Sequence, residues 1–153
     1  MKRKIFLSLL ISSVFFITCK SENRNGSDAD KTGNAVVVQL TNEAFKKMVF
    51  NYEANKEWKY EGSMPAIIDF YADWCGPCRQ LSPLVEEVAK EYAGKIIVYK
   101  VDTDKEKILA QNLGISGLPT LFFIPAQGKP QMSMGAIPKE SLVKAINEVL
   151  LVK

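Results

Sequence analysis

The 153-residue sequence contains no histidine and only three cysteines, Cys19, Cys75 and Cys78. A structural zinc site needs four ligands, mostly cysteine or histidine, and one copy of this chain does not supply them. Attachment of a c-type haem requires a histidine directly after a Cys-x-x-Cys pair, and that position is Arg79. The sequence therefore excludes haem attachment here, and we expect no metal site.

Nucleotide-binding motifs and a basic surface are also missing. Neither G-x-G-x-x-G nor G-x-x-x-x-G-K-[ST] occurs, so we expect no nucleotide cofactor of those kinds. The formal net charge is +3, and Lys2, Arg3 and Lys4 account for that excess. Binding of nucleic acid requires a clustered basic face. The remaining, near-neutral sequence therefore predicts no nucleic-acid partner.

Residues 1–18 are typical of a secretory signal peptide. A basic start precedes an apolar run from Ile5 to Ile17 that only serines interrupt. The run is shorter than the roughly 20 residues of a membrane-spanning helix. A buried helix of the fold is the less favoured alternative, because a strongly polar stretch follows. We therefore predict export to the periplasm or cell envelope.

Residues 16–19, Phe-Ile-Thr-Cys, resemble the end of a bacterial lipoprotein signal, in which the cysteine becomes the lipid-carrying first residue. Phe16 and Thr18 stand where that signal usually has an aliphatic residue and a small residue. Lipidation of Cys19 would use the odd cysteine, which is a liability in an oxidising compartment. Cleavage to a soluble periplasmic protein is the alternative. Residues 19–35, polar and without apolar periodicity, then predict a flexible tether that spans about 20 to 25 Å.

Residues 36–153 predict one α/β domain. Runs rich in β-branched and aromatic residues predict strands over 36–40, 66–72 and 95–101. Apolar residues at helical spacing predict helices over 44–52, 77–92 and 102–112. Residues 120–124 and 131–135 predict an antiparallel hairpin, and 139–152 predict a closing helix. This order predicts a sheet with a parallel core. Residues 53–64 indicate a surface connection or a helix extension, with Trp58 packed over the core.

Residues 74–78, Trp-Cys-Gly-Pro-Cys, separate a predicted strand from a predicted helix. Two thiols three positions apart at a helix start can close a disulfide and open it again. The unpaired N–H groups and the positive end of the helix dipole favour a thiolate at Cys75, which we expect to be the attacking thiol. Pro77 presets φ in the first helical turn. A static disulfide is the alternative.

Residues 69–78, Asp-Phe-Tyr-Ala-Asp-Trp-Cys-Gly-Pro-Cys, closely resemble the active-site stretch of the thioredoxin family. Residues 117–120, Gly-Leu-Pro-Thr, resemble its cis-proline loop, and residues 134–136, Met-Gly-Ala, resemble its glycine beside the substrate groove. The resemblance runs from Val36 to the C-terminus. It implies a thioredoxin fold, which is a central mixed β-sheet flanked by helices on both faces, and a monomer. Tyr71 stands at the position where thioredoxins often have tryptophan.

The resemblance also implies roles for individual residues. Cys75 matches the attacking cysteine and Cys78 the resolving one. Asp69 matches a buried carboxylate that shuttles the proton of the second cysteine, and burial is expected to raise its pKa. Lys100 matches a lysine near that carboxylate, although a solvated lysine at a strand end is nearly as well supported. The residues expected around the substrate are Trp74, Gly76, Pro77, Gly117, Leu118, Pro119 and Gly135, and an extended substrate segment would pair with the backbone of Leu118.

The dipeptide Gly-Pro between the cysteines resembles that of thioredoxins, whose potential is about −270 mV, against about −120 mV for the oxidant DsbA. We therefore predict an enzyme that reduces protein disulfides in the cell envelope, with the Cys75–Cys78 pair as its only redox group. A DsbD-like membrane donor or a thioredoxin reductase would supply electrons. The alternatives are a thiol oxidase or isomerase, a protein of cytochrome c maturation, and a non-enzymatic peptide-binding module.

Overall fold

The structure is a computed structural model, and it describes residues 37–150. The predicted signal peptide, the tether with Cys19, and the last three residues lie outside that range. Within residues 37–150, no helix combines the length and the apolar character that crossing a membrane requires.

A five-stranded mixed sheet forms the centre of the described part of the chain. Its strands are β1 (Val37–Gln39), β2 (Ala66–Tyr71), β3 (Ile97–Asp102), β4 (Thr120–Ile124) and β5 (Gln131–Met134). They lie in the order β1-β3-β2-β4-β5. The pairs β1–β3 and β3–β2 are parallel, and β2–β4 and β4–β5 are antiparallel. The predicted mixed sheet, with a parallel core and a hairpin near its end, is confirmed.

Helices cover both faces of this sheet, as predicted. They are α1 (Asn42–Met48), α2 (Gly76–Glu91), α3 (Lys107–Asn112) and α4 (Lys139–Val149). Phe45 of α1 and Leu109 of α3 pack on one face, and Leu81 of α2 and Ile146 of α4 pack on the other. Each helix therefore buries one apolar stripe against the sheet.

The central strand β2 is buried on both faces, as its apolar composition predicts. Ile67 packs with the α2 and α4 layer, whereas Ile68 and Phe70 pack with the α1 and α3 layer. Because side chains alternate along a strand, Asp69 shares the face of Ile67. The one charged residue of β2 therefore lies beneath α2.

The helix predicted over residues 102–112 is wrong in its first half. Strand β3 continues to Asp102, and α3 begins only at Lys107. The N–H of Thr103 donates to the carbonyl of Tyr71 at 2.9 Å, and the N–H of Asp104 donates to the Asp102 carboxylate at 3.0 Å. The first bond extends the strand pairing and the second forms a turn, so the helix begins later in the chain than predicted.

Smaller differences affect other boundaries. Strand β3 begins at Ile97 rather than Lys95, because the N–H groups of Lys95 and Ile96 donate to the carbonyl of Tyr92. Helix α1 ends at Met48 rather than residue 52, since the carbonyl of Val49 accepts the N–H of Glu61 at 2.8 Å. The end predicted for the last helix, residue 152, lies outside the described residues.

Residues 53–64 form an irregular surface connection, so the helix-extension alternative is wrong. The Trp58 ring packs on the Phe50 ring, with centroids 4.8 Å apart, which confirms its predicted place over the core. The Tyr60 hydroxyl donates to the carbonyl of Met64 at 2.6 Å. Trp58 and Tyr60 both pack against the core, so aromatic contacts fix this connection to the domain.

Candidate active site

Cys75 and Cys78 lie at the start of α2, directly after β2. Cys75 is the residue that caps the helix, and Cys78 lies in the first turn. Their sulfurs form a disulfide, with Cα atoms 5.3 Å apart. The N–H of Cys78 donates to the Cys75 sulfur at 3.2 Å. This N–H and the positive end of the helix would therefore both stabilise a thiolate at Cys75 in the reduced protein.

Gly76 and Pro77 form the first turn between the two cysteines. Proline has no backbone N–H, and the first turn of a helix leaves its N–H groups without intrahelical partners, so Pro77 costs no hydrogen bond there. Its fixed φ limits the conformations of the short loop that joins the two sulfurs.

Both cysteines are almost buried in this disulfide state, with exposed fractions of 4% for Cys75 and 3% for Cys78. They pack with Ala72, and Tyr71 and Leu118 lie against the same cluster. The end of β2 and the loop that carries Leu118 thus form an apolar wall beside the disulfide.

Asp69 lies beneath α2 with an exposed fraction of 1%. Neither of its carboxylate oxygens has a hydrogen-bond partner among the described residues. In the sheet it is opposite Lys100 on one side and Leu121 on the other. Burial raises its pKa from 3.8 to about 6, against the opposing effect of the Lys100 charge. The carboxyl can therefore gain or lose a proton close to neutral pH.

Lys100 extends from β3 toward α2. Its Nζ donates to Ser82 Oγ and lies 4.7 Å from the centroid of the Tyr71 ring. The residue is partly buried rather than fully solvated. The structure thus places Lys100 beside Asp69, although its ammonium group is bound elsewhere.

The loop before β4 contains the proline that the resemblance assigns to the substrate groove. The Leu118–Pro119 peptide bond is cis. The carbonyl of Pro119 accepts the N–H of Gly135 at 2.8 Å, and the hydroxyl of Thr120 donates to the carbonyl of Gly117 at 2.7 Å. These bonds join the loop to β5 and hold Leu118 against the cysteines.

Two glycines of this region have backbone or packing requirements. A Cβ on Gly117 would lie 2.9 Å from the sulfur of Met134, which is too close for a normal contact. Gly135 has a φ of +93°, a conformation that favours glycine. Replacement of Gly117 or Gly135 by a residue with a side chain would therefore alter the surface between the loop and β5.

Trp74 stands at the rim of the site with an exposed fraction of 70%. Its indole N–H donates to the carboxylate of Asp104 at 2.9 Å. Ile108 and Met134 are also large exposed apolar side chains, at 63% and 55%. Trp74 thus extends into solvent from one side of the disulfide, and Asp104 fixes its orientation.

A pocket of about 270 Å³ opens beside Cys78. Its lining consists of Tyr71, Ala72, Asp73, Cys78, Arg79, Ser82 and Lys100. The volume is sufficient for several water molecules, so water can approach Cys78. Within the described range, no group of three or more cysteine, aspartate or glutamate residues could hold a metal ion.

Two contacts of the site were missed by the sequence analysis, those of Ser82 and Asp104. Ser82 follows Cys78 by four residues, so both lie on one face of α2. That spacing would have indicated its place beside the pocket. No comparable pattern indicates the Asp104 contact with Trp74, which depends on the turn after β3.

Comparisons with known proteins agree with this geometry. The family model described as Thioredoxin matches residues 36–148. Thioredoxin of Borreliella burgdorferi is 46% identical over 113 residues, which cover 74% of this chain and 97% of that protein. Thioredoxin 1 of Nostoc sp. is 36% identical over 116 residues, or 76% of this chain and 99% of that protein. The solved structure of chloroplastic thioredoxin z matches with a TM-score of 0.64 and 27% identity, covering 76% of this chain and 96% of that one.

These matches cover the sheet, the helices and the cysteine pair, and they confirm the predicted family and fold. Thioredoxins are protein-disulfide reductases, which act on disulfide-containing proteins and receive electrons from a reductase donor. The disulfide between Cys75 and Cys78 is the matching redox pair. The chain therefore belongs to the thioredoxin family and is a thiol–disulfide oxidoreductase.

Proposed function

We propose that this protein reduces protein disulfides in the cell envelope, with Cys75 as the attacking thiol. The observation that carries this assignment is the position of Cys75 at the helix start, where the N–H of Cys78 donates to its sulfur. A sulfur stabilised in this way is a thiolate at a lower pH than an ordinary cysteine. Cys78 does not cap the helix, since it lies within the first turn.

The reaction has two exchange steps. In the first, the Cys75 thiolate attacks one sulfur of a substrate disulfide, the substrate S–S bond breaks, and the other substrate sulfur leaves as a thiolate and takes up a proton. In the second, Cys78 loses its proton and attacks the Cys75 sulfur, which releases the second substrate thiolate. The substrate is reduced by two electrons, and the Cys75–Cys78 disulfide forms.

Asp69 is assigned as the base for the second step. The carboxyl is buried beneath α2, on the side of Cys78, and its pKa is raised to about 6. A base whose pKa is near the working pH can both accept the thiol proton and release it afterwards. The pocket beside Cys78 brings water close to the thiol that loses this proton. Lys100 lies opposite Asp69 and lowers the pKa of the carboxyl through its charge.

The substrate is assigned to the surface around the cis-proline loop. An extended segment would pair with the backbone of Leu118, next to Pro119, as strands pair with a sheet edge. The remaining residues assigned to this surface are Trp74, Gly76, Pro77, Gly117 and Gly135. The small residues on either side of the disulfide leave room for a polypeptide chain.

The location in the cell envelope is supported by residues 1–35. The apolar run after a basic start and the Phe-Ile-Thr-Cys stretch support export and a lipid anchor at Cys19, with residues 20–35 as a tether. An oxidising compartment requires a supply of electrons to keep a reductant active. A DsbD-like membrane protein or a thioredoxin reductase is the proposed donor, and the protein acts as a monomer.

Insulin reduction and substrate trapping test the assignment of the two cysteines. The full-length protein in detergent, with dithiothreitol as donor, is expected to accelerate insulin reduction, and Cys75→Ser is expected to abolish this. Cys78→Ser, reduced and then separated from dithiothreitol, is expected to complete only the first step and to accumulate a mixed disulfide with insulin. A mixed disulfide formed by Cys75→Ser rather than Cys78→Ser would reverse the roles, and insulin reduction by Cys75→Ser at the rate of the unaltered protein would exclude the mechanism.

The anchor is tested by intact-mass analysis of full-length protein expressed in a bacterium. We expect the membrane fraction to contain a mature form that begins at Cys19 and carries lipid. A Cys19→Ser variant, the matched control, should lack this form. An unmodified mature N-terminus at another position would exclude the anchor.

A further inference from the structure

The charged pair beneath α2 is arranged unusually. Asp69 and Lys100 are directly opposite each other on adjacent strands, on the same face of the sheet. Nevertheless neither oxygen of Asp69 accepts a hydrogen bond from any described residue. An ionised carboxylate in a buried site would gain strongly from a lysine hydrogen bond. Some other contact must therefore hold the Lys100 ammonium group away from it.

Two groups bind that ammonium. Lys100 Nζ donates to the hydroxyl oxygen of Ser82 and lies 4.7 Å from the centroid of the Tyr71 ring. Ser82 is one helical turn after Cys78, so its hydroxyl reaches into the pocket beside the resolving cysteine. The hydroxyl is thus the polar partner that competes with Asp69 for the lysine.

The surrounding charged groups do not explain why the Lys100 ammonium group lies away from Asp69. The titratable and charged side chains that line this pocket are Tyr71, Asp73, Cys78, Arg79 and Lys100. Arg79 donates to the carbonyl of Asp73 at 3.0 Å. Asp102, two residues beyond Lys100, is paired with Lys105 at 2.7 Å, and the residue opposite Lys100 on β1 is the neutral Gln39.

We propose that Ser82 is a positioning residue whose hydroxyl holds the Lys100 ammonium group away from Asp69, and thereby keeps the carboxylate free to take the proton of Cys78. The inference deepens the proposed mechanism and rests on the role assigned there to Asp69. Without the hydroxyl, the lysine stem can turn toward the carboxylate on the neighbouring strand. A charge-assisted hydrogen bond would then form, which is stronger than a bond to a neutral acceptor.

The test measures Asp69 directly, by its carboxyl carbon NMR signal as a function of pH in the oxidised full-length protein. An opposite charge close to a carboxyl lowers its pKa by about 1 to 3, so we expect Ser82→Ala to lower the pKa of Asp69 by about one pH unit or more. Alanine is the best helix former, so α2 should remain folded. Ser82→Thr, which keeps a hydroxyl, is the matched control and should leave the titration close to that of the unaltered protein.

A double variant identifies the lysine as the cause. In a Lys100→Met background, Ser82→Ala is expected to cause no further change in the Asp69 titration. The inference is overturned if Ser82→Ala leaves the pKa of Asp69 unchanged or raises it, or if the decrease persists when Lys100 is replaced.

The kinetic consequence is measured by stopped-flow release of the second substrate thiol as a function of pH. Ser82→Ala is expected to move the midpoint of this resolving step to lower pH, by the same amount as the carboxyl titration, whereas Ser82→Thr should not move it. A shifted carboxyl titration with an unshifted kinetic profile would overturn the role of Asp69 as the base, and with it the mechanism on which the inference rests.

Discussion

Replacement of Asp69 by asparagine should change how the stability of the oxidised protein depends on pH. Asp69 is buried, has no hydrogen-bond partner within the described residues, and has a pKa raised to about 6. Folding therefore favours its protonated form. Between pH 3.8 and about 6 the folded protein binds more protons at this residue than the unfolded chain does. The contribution of Asp69 to stability is consequently greatest at acidic pH and is lost as the pH rises through the folded pKa.

The magnitude follows from the difference between the two pKa values. One pKa unit corresponds to about 1.4 kcal/mol, so the ionised carboxylate costs about 3 kcal/mol at neutral pH and above. Asparagine carries no charge and removes this dependence. The difference in the free energy of unfolding, Asp69→Asn minus the unaltered protein, should therefore increase by about 2 to 3 kcal/mol as the pH rises from about 4 to about 8. A constant offset from the changed polar group does not affect this difference.

Urea unfolding of the two oxidised proteins, followed by tryptophan fluorescence across this pH range, measures the effect. Asp102→Asn is the matched control, and its difference in stability from the unaltered protein should stay nearly constant across this range. Its hydrogen bond with Lys105 holds the pKa of Asp102 below 3.8, so its contribution is present above that value and is lost as the pH falls. Parallel stability curves for Asp69→Asn and the unaltered protein would refute the reasoning, since they would show an ordinary pKa for the buried carboxyl.

Three further predictions concern the helix start, the core and the surface. In the reduced protein at neutral pH, iodoacetamide is expected to alkylate Cys75 faster than Cys78, as shown by peptide mass analysis, and equal rates would contradict a thiolate at the helix start. Phe45→Ala is expected to lower the free energy of unfolding in urea by about 3 to 5 kcal/mol, because the ring is fully buried; a loss below about 1 kcal/mol would contradict its place in the core. Lys139→Met removes the surface ion pairs with Glu87 and Glu91. Because solvent screens such pairs, it should lower the free energy of unfolding by less than about 1 kcal/mol in the same assay, and a larger decrease would contradict this screening.

The order of elements and the buried position of Asp69 could be predicted from the sequence because they depend on local patterns. The apolar run around Asp69 indicates a strand covered on both faces, and the structure has such a strand. The cysteine pair was placed at a helix start by the change from strand to helix periodicity. The cis bond before Pro119 was expected only from the resemblance, since few X-Pro bonds are cis.

Element ends and the partner of Lys100 could not be predicted in this way. The start of α3 depends on hydrogen bonds from the turn after β3 to Tyr71 and Asp102, which bring together residues from two strands. Lys100 has three possible partners on two elements, Asp69, Tyr71 and Ser82. The choice among them depends on side-chain geometry, which periodicity does not describe.

The central claim is that the Cys75–Cys78 pair donates electrons to protein disulfides, and its reduction potential tests that claim most directly. Equilibration of the full-length protein with glutathione buffers, followed by quantification of the dithiol and disulfide forms by mass, gives the value. The account predicts a potential near that of thioredoxins, about −270 mV. A potential near that of the oxidant DsbA, about −120 mV, would contradict it.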